Sequence, residues 1–296
     1  MSLRVYNDPQ LKSKSMMRWL LFFIWYLPII HSQIGLAQET KVKIMTYNIR
    51  LDVASDSLNR WDYRKAFLLE QIQTTNPDVL GVQEALPNQV QFLQKGLKKY
   101  LKIGVGREEN LNGEASCLFI KEDRFIVKDS GTFWLSATPE KVSRGWDAAC
   151  NRVCTFAHLE DRTTGKRCWV FNTHWDHVGE KARTESLKLT LEQIQQLNLQ
   201  KEPVIYIGDF NSTPDHERWQ LLKNEWIDTW HSLHPNNTEG TFNAFDPKRP
   251  ATAYIDYIWV TRDHFQILES SILINLKNGR FPSDHFPVVS TLSFLP

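Results

Sequence analysis

The run Val204-Ile205-Tyr206-Ile207 stops at Gly208-Asp209-Phe210-Asn211-Ser212-Thr213-Pro214, and this stretch constrains the chain more than any other. Apolar, largely β-branched residues read as a buried strand, and Gly208 and Pro214 punctuate its end. Asp209 and Asn211, two residues apart on extended backbone, project together from the strand tip. One can take a proton and the other can donate to an oxyanion, a combination suited to phosphate chemistry. The same residues also form Asx turns readily, and Asn211-Ser212-Thr213 satisfies the glycosylation sequon.

Further strand signals surround this one. Residues 41–49 alternate with period two, and 79–84, 116–120, 125–135, 153–158, 169–173, 254–260 and 288–294 are further candidates. Helical spacing is expected over 67–74, 89–99 and 182–198, where Leu187, Leu191, Ile194 and Leu197 recur on one face. No repeat or linker divides residues 38–296, so a single domain with two sheets faced by helices is the economical expectation. At 296 residues and 42% hydrophobic content the chain can bury a substantial core.

The first 37 residues differ in kind. Lys12, Lys14 and Arg18 precede the apolar run Trp19–Ile30, and small residues Gly35-Leu36-Ala37 follow a polar stretch. Basic, apolar and small-residue regions in that order describe a secretory signal peptide, so an exported protein, periplasmic or extracellular, is expected. The apolar run is too short for a bilayer span of about 20 residues, and an uncleaved amphipathic anchor is the alternative. The basic lead before Met16-Met17 also admits a later start. Residues 1–37 carry Arg4, Lys12, Lys14 and Arg18 against Asp8; 35 Lys and Arg less four, against 34 Asp and Glu less one, leaves a formal charge of −2. A protein that wraps polyphosphate backbones usually carries a basic excess, so small or locally bound substrates are favoured. A monomer without a membrane span is expected.

Cys117, Cys150, Cys154 and Cys168 would meet an oxidising compartment, where a disulfide is plausible. Cys150, Cys154 and Cys168 with His158 match no standard zinc spacing, and small buried hydrophobes are the default reading.

Polar residues recur where strands end: Asn48, Glu84, His174 with Asp176 and His177, Asp256, and Ser283-Asp284-His285. Singly, each has a structural explanation as a cap, a turn former or a satisfied core polar group. Together, Thr46-Tyr47-Asn48, Gln83-Glu84, Asn172-Thr173-His174, Gly208-Asp209-Phe210-Asn211, Ile255-Asp256-Tyr257 and Ser283-Asp284-His285 stand in the order found in the endonuclease/exonuclease/phosphatase superfamily. The chain most closely resembles its bacterial secreted branch related to deadenylase-like enzymes, through Arg50-Leu51-Asp52, Trp61, Arg64-Lys65, Gly145-Trp146-Asp147 and His174-Trp175-Asp176-His177-Val178-Gly179. This resemblance implies an α/β (α+β) four-layer αββα sandwich, in which two packed mixed β-sheets are flanked by helices.

By the same resemblance, Glu84 and Asp284 are metal ligands for Mg²⁺ or Mn²⁺, with Asn48 close to the metal or phosphate. Carboxylates and carboxamides are hard oxygen ligands that suit these ions. Asp209 is the base for an attacking water and is assisted by Asn211; His174 and His285 contact phosphate oxygens, and Asp256 holds the ring of His285. Arg64, Trp146, Asp176 and His177 are the candidates for substrate contact. Trp61, Trp134, Trp146 and Trp175 could stack a base or sugar, although aromatics more often fill a core. The implied function is an exported, divalent-metal-dependent phosphoesterase acting by in-line attack of water. Its substrate could be a nucleic acid (as a nuclease or 3′-exonuclease), a nucleotide or sugar phosphate, or a phospholipid headgroup. A catalytically silent binding protein on the same fold is the alternative.

Overall fold

The computed structural model describes residues 41–296. The expected signal peptide, residues 1–37, lies outside the described residues. In chain order the elements are β1 (Lys41–Asn48), α1 (Trp61–Thr75), β2 (Val79–Ala85), α2 (Pro87–Gly96), β3 (Tyr100–Ile103), β4 (Ala115–Lys121), β5 (Phe125–Trp134), β6 (Val153–Asp161), β7 (Arg167–His174), α3 (Glu180–Leu197), β8 (Val204–Asp209), β9 (Trp226–Asp228), α4 (Thr229–Leu233), β10 (Asp256–Thr261), β11 (Phe265–Ile272) and β12 (Val288–Phe294). They build two six-stranded sheets, ordered β11-β12-β1-β2-β4-β3 and β5-β6-β7-β8-β10-β9. Each sheet holds one parallel pair, β1–β2 and β7–β8. Parallel neighbours cannot be joined by a tight turn, and α1 and α3 supply the two crossovers.

Strand alternation separates the faces. Along β1, Ile44 joins the large core shared with the second sheet, whereas Met45 and Tyr47 pack with Trp61, Leu68 and Ile72 of α1. On β4, Leu118 and Ile120 face the shared core, and Cys117 and Phe119 join the α1–α2 side. Leu187 and Ile194 of α3 are buried in the core of the second sheet. The αββα layering implied by the resemblance is therefore the architecture.

The seam between the sheets is tight at one polar point. A Cβ on Gly81 would meet Ile207 Cδ1 at 2.6 Å and Asn172 Oδ1 at 2.8 Å, so β2 can approach the second sheet only without a side chain there. Asn172 reaches from β7 into the first sheet, donating to the carbonyls of Val82 (3.1 Å) and Cys117 (2.8 Å) and accepting from Gln83 Nε2 (2.7 Å). These bonds satisfy polar groups that would otherwise be buried unpaired.

Several expectations are corrected. Helix α1 begins at Trp61 and not Phe67, because Arg64 and Gln71 occupy its buried face and interrupt the apolar periodicity. Helix α2 stops at Gly96, and Tyr100–Ile103 turns back as an edge strand. Of the two readings of the cysteines, the default one describes the structure: all four are free, and Cys117, Cys154 and Cys168 are buried as small apolar residues. Among the described residues no helix is long and apolar enough to cross a membrane.

Candidate active site

Both parallel pairs end at the same place. Asn48 closes β1, Glu84 lies near the end of β2, His174 closes β7 and Asp209 closes β8. The antiparallel neighbour β10 sets Asp256 directly across from Asp209, and Asp284 and His285 arrive on the segment entering β12. Ligand sites at the carboxyl ends of parallel strands are the general rule for such sheets. Local backbone is forced to fit. The β2–β4 register shifts between Val82 and Ala85, and Glu84 sits there with φ +62°, while Arg50 and Asn211 also adopt left-handed φ of 54° and 46°. Each such residue stores on the order of 1 kcal/mol, a pattern concentrated at functional sites.

Asn48 is the hub. Its Nδ2 donates to Glu84 Oε1 (3.1 Å) and Asp209 Oδ2 (2.9 Å), and its Oδ1 accepts from the Arg50 N–H (3.0 Å). In this arrangement Asn48 bridges two carboxylates, and its amide oxygen is taken by backbone. Glu84 Oε2 accepts from the Leu51 N–H (2.9 Å). Asn211 donates to the Trp175 carbonyl (3.0 Å) and lies 3.1 Å from His174 Nε2. Its own N–H donates to Asp209 Oδ1 at 2.9 Å, so the Asx turn and the catalytic-looking pair are the same structure.

The electrostatics divide the two histidines. Burial works against charge on His285, but the Asp256 carboxylate 2.8 Å from its Nδ1, joined by the charges of Asp209 and Asp284, outweighs burial and holds the ring well above the ordinary histidine range. His174 is pushed well below that range by burial and by the nearby guanidinium groups of Arg152 and Arg107. A cationic and a neutral imidazole thus face one cleft at neutral pH. Burial and the Asp256 charge push Asp209 up to about 7, suited to a base near neutrality.

The expected substrate residues do not form one surface. Arg64 is buried, and its guanidinium donates to the carbonyls of Asn59 (2.9 Å), Arg50 (2.6 Å) and Pro282 (3.1 Å), so it holds the site's backbone. Asp176 is buried and accepts from the N–H groups of Ala149 (3.0 Å), Val178 (3.0 Å) and Gly179 (2.8 Å), which fixes the loop before β6. His177 does line the cleft, whereas Trp146 is half-buried on left-handed backbone and is absent from the lining. Trp61, Trp134 and Trp175 are buried. The cleft, about 420 Å³, also takes in Arg107, Glu114, Arg152 and Phe242, which the sequence reading missed. Their local sequence holds no pattern; only the fold brings them together.

Glu84 and Asp284 both line this cleft and offer hard oxygen ligands. Burial and the Glu84 charge together keep Asp284 above the ordinary carboxylate range, a repulsion that a divalent cation between them would relieve. The donor set therefore fits Mg²⁺ or Mn²⁺. Asp209, Asp256 and His285 also cluster within 4.8 Å, but there a cationic ring already occupies the place beside the carboxylates. Cys150, Asp176 and His177 cluster likewise, with the Arg152 guanidinium bonded into the group.

Residues 45–285 match the Endonuclease/Exonuclease/phosphatase family. The chain belongs to this family. A solved endonuclease/exonuclease/phosphatase member from Bacteroides thetaiotaomicron superposes with a TM-score of 0.81 at 33% identity, covering 87% of this chain and 99% of its own. A mannosyl-6-phosphatase of the same organism gives 0.78 at 32% identity, over 86% of this chain and 100% of its own. Nocturnin of Drosophila melanogaster is 26% identical over an alignment 287 positions long that covers 80% of this chain but only 42% of that relative's length. The family is one of nucleases and phosphatases, so the chain is a phosphoesterase of that hydrolase family.

Proposed function

We propose that the chain is an exported, Mg²⁺- or Mn²⁺-dependent phosphatase of small phosphate esters, with a sugar phosphate as the leading substrate. The observation that carries the chemistry is the Asn48 bridge, which sets Glu84 and Asp209 on either side of one amide. Glu84 and Asp284 would hold the ion, whose chemistry there is polarisation of the phosphoryl oxygen and support of charge on the leaving oxygen. Asp209 takes the proton of the attacking water, and Asn211, anchored on Trp175, helps to orient it. His285, kept cationic by Asp256, stabilises negative charge building on the phosphoryl oxygens. His174 serves as a neutral hydrogen-bonding partner there. Attack is in line, without a covalent enzyme intermediate.

Three observations support a small substrate. The expected mature chain carries no basic excess; the four tryptophans proposed as stacking platforms do not line the cleft; and one solved relative, 32% identical, is a mannosyl-6-phosphatase. A catalytically silent protein would be expected to lack one of the assigned groups, and the sequence retains each residue type assigned. The order of basic, apolar and small residues before Gln38 supports export, and a monomer remains our reading of the assembly.

The test is a screen of the purified protein against hexose phosphates, nucleotides, single-stranded RNA and DNA, and phospholipids. Hexose phosphates should be hydrolysed best, activity should vanish in EDTA, and Mg²⁺ or Mn²⁺ should restore it. Full turnover in excess chelator would refute the metal assignment, and a preference for RNA would refute the substrate class.

A further inference from the structure

The cleft has a wall that hydrolysis does not use. Arg107 and Glu114 stand at the two ends of a short excursion whose backbone is closed by a bond from the Arg107 N–H to the Glu114 carbonyl (3.0 Å). Their side chains pair through two bonds of 3.0 and 2.6 Å, and Trp134 Nε1 donates to the Arg107 carbonyl at 2.8 Å. Arg152, 5% exposed, is fixed from behind: its Nε donates to Asp176 Oδ2 (3.3 Å) and its Nη2 lies 3.0 Å from His177 Nδ1. Its Nη1 is buried without a partner.

That orphan donor is informative. A buried guanidinium N–H left unpaired is unfavourable by about 1–3 kcal/mol, more when charged. Arg152 lines a recess of about 10 Å³ shared with Glu84, Arg107, Glu114 and His174, next to the hydrolytic groups. Such a volume takes about one oxygen-sized group. Each Glu114 oxygen receives one N–H from Arg107, so lone pairs remain free. A residue with an unpaired donor and a carboxylate with free lone pairs therefore line one small recess.

We propose that Arg107, Glu114 and Arg152 form a subsite that reads hydroxyl groups on the alcohol portion of the substrate, an inference that rests on the small-ester reading above. A hydroxyl gives one hydrogen bond and takes one, which matches Glu114 and the free Arg152 N–H. A second phosphate only accepts, would face the Glu114 carboxylate, and is too large for the recess. A nucleobase would need a flat platform, and among the residues lining the cleft the aromatic ring other than histidine is Phe242, packed edge-on against His285 with centroids 5.1 Å apart. Arg107 positions the Glu114 carboxylate, and Asp176 with His177 positions Arg152.

The test compares kcat/KM for a hexose 6-phosphate, its mono-deoxy analogues, and phenyl phosphate, which has the ester and no hydroxyl. Glu114→Ala should lower the hexose-to-phenyl ratio by roughly 10- to 100-fold, the range of a hydrogen bond to a charged group. One deoxy analogue should lose as much with the unsubstituted protein and lose little more with Glu114→Ala, because side chain and hydroxyl form one interaction. Arg152→Lys keeps the charge beside Asp176 while removing the free donor, and gives an independent second reading; melting temperatures verify that both variants fold. An unchanged ratio in both variants, or equal losses on hexose and phenyl esters, would overturn the subsite and leave the small-ester reading standing. Preference of the unsubstituted protein for RNA or phospholipid over every hexose phosphate would overturn the small-ester reading itself, and the subsite with it.

Discussion

His285 Nδ1 lies 2.8 Å from Asp256 Oδ2, with both side chains almost sealed from solvent. The ring's folded-state affinity for its proton is raised, so the cation persists below and around neutrality and is lost as pH rises through the folded pKa. Activity should therefore fall on the alkaline side. Asp256→Asn removes the strongest of the charges that oppose burial and should move that limb to lower pH. His285→Ala combined with Asp256→Asn should lose much less than the product of the single effects, since both act through one group. A pH–rate profile unmoved by Asp256→Asn, with metal occupancy verified, would give the limb to another residue.

Asp209→Asn keeps the shape of the side chain and one of its two accepted bonds, from Asn48 or from the Asn211 N–H, while abolishing its basicity. We expect kcat to drop by about 10² to 10⁴, the range for loss of a general base, with substrate affinity and thermal stability close to those of the parent. A variant with undiminished kcat would exclude Asp209 as the base.

Asp176 predicts an acid effect on stability rather than on chemistry. Burial alone would raise its pKa, but the N–H groups of Gly179, Ala149 and Val178 prevail and hold it well below the ordinary carboxylate range. Its contribution is complete above the unfolded pKa of about 3.9 and disappears as pH falls towards the folded value. Urea melts between about pH 5 and 3 should show the parent losing stability more steeply than Asp176→Asn. Parallel slopes would contradict this.

Arg64→Ala would leave the carbonyls of Asn59, Ile49 and Pro282 without that donor, while the Arg50 carbonyl keeps Gln89 Nε2. Several unpaired acceptors and the lost volume should together lower stability by about 3 kcal/mol or more, read from denaturant melts. A loss under about 1 kcal/mol would show that water replaces the guanidinium without difficulty.

The legible part of the site was the part that is contiguous. Asp209 and Asn211 follow a buried apolar strand directly, and Asp284 and His285 adjoin the last one, so period and punctuation exposed them. Arg107, Glu114 and Arg152 acquire meaning only when the excursion between β3 and β4 closes against the start of β6, a long-range event that leaves no local signature. Arg64 and Gln71 misled in another way: polar side chains on the buried face of α1 erased the periodicity that marks a helix, because that face serves the backbone of the site as well as the core. Strand β11 escaped notice because Gln266, Glu269 and Ser271 on its exposed positions break up its apolar residues.

The seam at Gly81 and Asn172 carries one more implication. Asn48, Glu84 and His285 belong to or adjoin strands of the first sheet, whereas Asp209, Asn211 and Asp256 belong to or adjoin strands of the second. Both the Asn48–Asp209 and the His285–Asp256 bonds therefore cross from one sheet to the other. A slip of one sheet over its neighbour by about 1 Å would separate base from bridge and ring from counter-ion together, a displacement that can reduce rate about a hundredfold. Substitutions that enlarge Gly81 or shorten Asn172 should thus inactivate a protein that still melts as a folded one, making turnover a finer gauge of sheet alignment than any measure of overall stability.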